Sequence, residues 1–381
     1  MPVPTKDSGA AYLSIKREID ETFQRVLAAG EYSLSEDVSA FEREFATYCG
    51  AQHAIGVGSG HDAILIGLLA IGVGPGDEVI TPANGCPSVP VAVSHTGAVP
   101  RFVDVDERTY NVDAIQVRSA ITARSRALLP IHSYGQPCDM AAIMDIAHDH
   151  NLKVVEDASL AAGATYRGQR VGNLGDVGIF SLGHGKILNA YGSGGVILTD
   201  DAAVEEQARA LRQYGFRRIR ASDGIKPEYT VGGNVSVLAG YNSRLEALQA
   251  AALRVKLRKL DQRIAQRQAL AGLYDRLLAD VDLVRPYIAP DATSVYRGYI
   301  VCVPDRPRVL AGLAAKYIES SAYYLPPLHM HPLWRHLGWQ EGDFPVVERI
   351  SRQLVVLPLY PELSEEQVHE VVDALRTCIA R

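Results

Sequence analysis

The strongest constraint on the fold is an alternation that fills the first two-thirds of the chain. Short β-branched runs at 53–57, 78–81, 99–103, 127–131, 153–156, 177–181 and 194–199 read as strands. Helical patterns lie between several of them, at 62–71, 87–95, 113–121 and 140–150. Runs such as KVVED and RALLPIH are apolar without the period-two alternation of a half-solvated strand. That is the mark of strands buried on both faces. The expectation is an α/β domain around a mostly parallel seven-stranded sheet.

The pattern changes after about residue 242. The stretch 243–278, rich in Leu, Ala, Arg and Gln, reads as one long helix or two in succession. Beyond it come a strand-like 294–304, a helix at 306–320, a Pro/His-rich loop at 325–334 and a final helix at 364–379. The last begins SEEQ, a capping box with Ser364 at the cap and Gln367 at the third helical position. The chain's 381 residues exceed what one core usually fills, roughly 250–300 residues. We therefore expect a large α/β domain over 1–250 and a small α+β domain over 251–381.

Charge and cysteine usage exclude several classes of function. Thirty-eight Lys and Arg against 44 Asp and Glu give a net charge of −6, which disfavours nucleic acid and anionic membranes as partners. No apolar run approaches the roughly 20 residues that span a bilayer, and MPVPTKDSGA lacks a secretory signal pattern. The five cysteines are scattered without a C-x-x-C pair, as expected of a cytoplasmic protein without a disulfide framework or a metal site.

Three segments carry chemistry. GVGSGHDAIL runs from a strand through a glycine-rich turn, Gly58 to His61, into a helix; it is either a phosphate cradle made of free backbone N–H groups or an ordinary tight turn. Lys186, in FSLGHGKIL, follows a strand end among glycines. It is either a solvated lysine or a nucleophile at the edge where open α/β sheets gather ligands. Asp157, in VVEDAS, closes a hydrophobic strand, as a helix cap or as a buried carboxylate that needs a cationic partner, such as a protonated heterocyclic nitrogen. Glu156 points to the other side of the strand and reads as structural.

In order and spacing, these segments and GDEVITPAN, PIHSYGQPCDM, YGSGG and GYNSRLEALQAA resemble the DegT/DnrJ/EryC1/StrS family of pyridoxal-phosphate sugar aminotransferases over nearly the whole chain. The resemblance implies a fold-type-I homodimer with active sites shared between subunits, and pyridoxal or pyridoxamine 5'-phosphate as cofactor. It implies that Lys186 is the Schiff-base lysine and proton carrier. Asp157 then pairs with the pyridinium nitrogen and keeps the ring an electron sink. By the same likeness Ser181, Gly60 and His61 hold the phosphate, and Asn242 reaches the partner's phosphate.

The chain departs from the family pattern inside the cofactor shell. His61 stands where Thr or Ser is usual, Cys86 where an aromatic ring stacks on the cofactor, and Leu160 where a glutamine is usual. The expected function is amino transfer from L-glutamate or L-glutamine to a keto-sugar, nucleotide-linked, or to a keto-cyclitol. The departures raise two alternatives: a cofactor enzyme of another reaction type, eliminating, cyclising or decarboxylating, and a binding protein without turnover. Candidates for the acceptor pocket are His132, Tyr323 and His329, with Tyr324, His331 and Tyr32 beside them.

Overall fold

The computed structural model describes residues 2–226, 230 and 232–379. Seven strands form the main sheet: β1 (His53–Val57), β2 (Glu78–Pro82), β3 (Val99–Val103), β4 (Ser125–Leu128), β5 (Lys153–Asp157), β6 (Val177–Ser181) and β7 (Gly195–Thr199). Their order is β1-β7-β6-β5-β4-β2-β3. β2, β3, β4, β5 and β6 pair in parallel, and β7 runs antiparallel to both neighbours. The sheet is therefore mixed, with one reversed strand. An antiparallel neighbour needs no crossover helix, so β6 reaches β7 through a loop, and that loop carries Lys186.

Both faces of the sheet are covered, which explains the unalternating runs. Ile55, Val155, Ile179 and Ile197 pack on one side with helix Gly60–Ala70. Ala54, Phe180, Val196 and Leu198 pack on the other with helices Glu36–Cys49 and Ala247–Leu257. A buried ion pair ties this second layer to β1. Glu42 accepts from Arg212 Nη1 at 2.5 Å and from the Gly56 amide at 2.8 Å, and both side chains are buried.

The expected helical stretch at 243–278 is two helices, Ala247–Leu257 and Leu260–Leu277. A separate core follows, built from Tyr274, Tyr299, Val301, Val355, Leu357, Val371 and Leu375. In it β8 (Tyr299–Cys302) pairs antiparallel with β9 (Leu354–Leu357), covered by helices Arg306–Ala315 and Glu365–Ile379. The capping box forms as read: the Ser364 amide donates to Gln367 Oε1 at 3.0 Å, and the Gln367 amide to Ser364 Oγ at 3.2 Å.

Candidate active site

The carboxyl ends of β1, β5 and β6 open into one cavity of about 240 Å³. Gly60, His61, Cys86, Asp157, Leu160, Ser181 and Lys186 all line it. It lies beyond the strand ends, where open α/β sheets bind ligands.

The turn after β1 is held from three sides. Ser59 caps the helix, its Oγ accepting the Asp62 amide at 3.1 Å. Ser243 Oγ accepts the Gly58 amide at 2.9 Å and donates to Asp62 Oδ2 at 2.7 Å. Gly60 lies against the end of β6: a Cβ there would stand 2.4 Å from Ser181 Cβ and 2.7 Å from its Oγ. Only glycine permits that approach, which brings a hydroxyl beside the unpaired N–H groups of a helix start. Such a cradle suits a phosphate.

Asp157 ends β5 and is buried. One oxygen, Oδ1, accepts the Ser159 amide at 2.9 Å, and no cation pairs with this carboxylate among the described residues. Ser159 Oγ in turn accepts the Ser181 amide at 2.9 Å, so β5 and β6 are braced against each other at the cavity wall. Sequence reading passed over Ser159; its signal is the Asp-x-Ser spacing, which favours this local turn. Lys186 faces the same space, has no ion pair among the described residues, and is held by burial below its ordinary pKa, against the pull of Asp157 and Cys86. A depressed amine and a buried unpaired carboxylate in one cavity are the equipment of acid–base or imine chemistry.

His61 lines the cavity, but its ring nitrogens are engaged elsewhere, Nδ1 with Ser88 O at 3.1 Å and Nε2 with His95 Nδ1 at 3.1 Å. Beside Cys86 the wall is completed by Tyr324, whose hydroxyl pKa burial pushes up. An aromatic ring thus lines the chamber where Cys86 supplies none.

Other expected residues lie elsewhere. His132 is fully buried: Nδ1 accepts the Cys138 amide at 3.0 Å, which leaves the proton on Nε2, 2.7 Å from Glu156 Oε1. Glu156 also accepts the Gly172 and Leu174 amides, so it is the structural residue its position indicated. His329 is buried against Glu348 Oε1 at 3.1 Å. Neither histidine lines the cavity, because a carboxylate captures each one. Tyr323 is half-buried outside the lining, with its carbonyl accepting from Tyr134 Oη at 3.3 Å. His331 bonds to Pro326 O, Tyr32 is exposed, and Asn242 is exposed outside the lining.

Comparison with known proteins agrees with this geometry. The chain is 40% identical over 375 residues to dTDP-3-amino-3,4,6-trideoxy-alpha-D-glucose transaminase of Streptomyces venezuelae, covering 98% of this chain and 95% of the relative. It is 40% identical over 378 residues to a protein of Geobacillus stearothermophilus named a pleiotropic regulatory protein, covering 98% of each. Among solved structures, S. venezuelae DesV in complex with a ketimine intermediate superposes with a TM-score of 0.93 at 39% identity, covering 100% of this chain and 99% of that one. Residues 13–376 match the model of a single family, so this chain belongs to the DegT/DnrJ/EryC1/StrS aminotransferase family.

Proposed function

We propose that this protein uses pyridoxal 5'-phosphate to move an amino group from L-glutamate or L-glutamine to a keto-sugar carried on a nucleotide. The observation behind the proposal is that Lys186, Asp157 and the Gly60–Ser181 cradle line one cavity. A cationic heterocycle with a phosphate arm matches this set: an unpaired buried carboxylate for the ring nitrogen, a close-packed glycine turn for the phosphate, and a lysine for the aldehyde.

When bound, the cofactor supplies an electron sink for the carbanion left by α-proton removal. Asp157, fixed through Oδ1, would offer its other oxygen to the ring nitrogen and hold a proton there. The free amides at the Gly60–His61 helix start and the Ser181 hydroxyl would anchor the phosphate. Lys186 is the amine that would hold the cofactor, and its Nζ would serve as the base that carries the α-proton. Burial suits it to that task, since a base must be neutral to accept a proton. Tyr324 and Leu160 add apolar wall to the same cavity.

A shared homodimeric site is part of the proposal. Asn242 is exposed and outside its own cavity, as a residue that serves a partner must be. The five free cysteines accord with a cytoplasmic setting. Lys186 and Asp157 lining one cavity support turnover over a binding role.

The test is the visible absorbance of the cofactor-loaded protein. L-Glutamate or L-glutamine should bleach it with stoichiometric keto acid, and Lys186→Ala should abolish the bleach. If no amino donor changes the spectrum, the transferase reading is wrong; water or carbon dioxide released without a keto acid would point to another reaction type.

A further inference from the structure

Lys186 also borders a second chamber, of about 270 Å³, between the N-terminal segment, the Lys186 loop and the small core. Besides Lys186, five cations line it: Lys6, Lys256, Arg263, Arg267 and Arg297. They come from four separate parts of the chain. Two carboxylates oppose them, Glu362, which pairs with Arg263 at 2.7 Å, and Asp7, whose Oδ1 is occupied as the cap of Ala10 N at 2.8 Å. The excess is three positive charges.

Lys6, Lys256, Arg267 and Arg297 have no ion pair among the described residues. Lys256 Nζ rests on Asn189 O and Oδ1 at 2.8 and 3.0 Å. Arg267 gives Nη1 to the Tyr296 and Leu359 carbonyls, leaving Nε and Nη2 without a partner among the described residues. Arg297 Nε is buried and unpartnered. Arg297 Nη2 and Lys6 Nζ converge on Gly185, at 3.3 and 3.4 Å from the place a Cβ would take, directly before Lys186 in the chain.

Uncompensated cations in a half-enclosed space repel one another and lose hydration. The lining groups shift in that direction. Burial and then Arg263 lower the Lys256 amine to about 8. Burial, then Arg297 and Arg263, lower Arg267 to about 9. The Lys6 charge leads the causes that lower His184. An oxyanion in the chamber would relieve all three, and forked guanidinium groups suit phosphate and carboxylate alike.

We propose that this chamber binds the doubly charged oxyanion arm of the substrate and so holds the reacting carbon over Lys186. The proposal rests on the aminotransferase reading above. The arm has two sources: the diphosphate of a nucleotide-linked acceptor, or the paired carboxylates of a dicarboxylic amino donor.

The experiment is calorimetric titration of the cofactor-loaded protein with thymidine 5'-diphosphate, pyrophosphate and glutarate, with thymidine as the uncharged control. At least one dianion should bind and thymidine should not. Affinity should fall about tenfold in Lys6→Gln and in Arg297→Gln, as expected for loss of one charge-assisted contact. Tighter binding of the two phosphates assigns the chamber to the acceptor; tighter binding of glutarate assigns it to the donor. No dianion binding, or binding unchanged in both variants, overturns the proposal. The glutamate-induced bleach of the same samples separates the two readings. A normal bleach without dianion binding sinks the chamber alone, whereas dianion binding without any bleach sinks the transferase reading alone.

Discussion

Replacing Gly60 by alanine tests the cofactor cradle at its tightest point. The added Cβ would lie 2.4 Å from Ser181 Cβ and 2.8 Å from Ser181 Cα. Carbon atoms rest at about 3.5–4.0 Å, so the helix start and the end of β6 must separate by roughly 1 Å or more. Neither side yields easily. Ser181 is braced through its amide to Ser159, and the turn is pinned by Ser243 and Asp62. Overpacking of this kind costs about 1–3 kcal/mol of stability. The larger effect falls on the phosphate, because the Ser181 hydroxyl and the turn amides no longer converge on one point. Losing one or two charge-assisted hydrogen bonds weakens cofactor binding by about 10- to 100-fold. Absorbance titration of the apo-protein with pyridoxal 5'-phosphate reads the affinity, and thermal melts with and without cofactor read the stability. Gly74→Ala is the control, since its Cβ meets nothing within 4 Å. Wild-type affinity in Gly60→Ala would refute the reasoning.

Ser181→Ala should weaken cofactor binding several-fold, whereas His61→Ala should change it little, since both imidazole nitrogens are already engaged with Ser88 and His95; equal losses in the same titration would return His61 to the phosphate. Lys256 gives a pH signature. Its folded pKa of about 8 lies below the ordinary 10.5, so its stability contribution is present above 10.5 and is lost as pH falls through 8. Denaturation midpoints of Lys256→Met should therefore gain on wild type as pH drops across that window, and a parallel pair of profiles would contradict this. Glu42→Leu leaves Arg212 buried without its carboxylate and should cost about 3–5 kcal/mol in urea denaturation; a loss under 1 kcal/mol would show that water reaches the guanidinium.

The sheet was legible because its strands are buried on both faces, and KVVED and RALLPIH carry that fact in their composition. The reversed direction of β7 was not, since an apolar run has no polarity. Helix Lys16–Ala29 was missed for a related reason: its buried residues are Ile19 and Val26 alone, too thin a stripe to read. At the site, Asp157 and Ser181 could be named because each closes a strand, and Lys186 because it stands among glycines five residues beyond one. His132 and His329 misled because the carboxylates that capture them lie 24 and 19 positions away. The cationic chamber left no trace in the sequence at all. Its charges sit at positions 6, 256, 263, 267 and 297, and only the fold gathers them.

The bond from Gly58 N to Ser243 Oγ spans 185 positions. A chain that ends short of Ser243 therefore lacks one of the anchors of the first strand's turn. β7, which pairs with β1, also arrives late, so an incomplete chain offers an open hairpin edge and no cradle. The cradle is thus a long-range product of the fold, complete only once residues 58, 181 and 243 have been brought together.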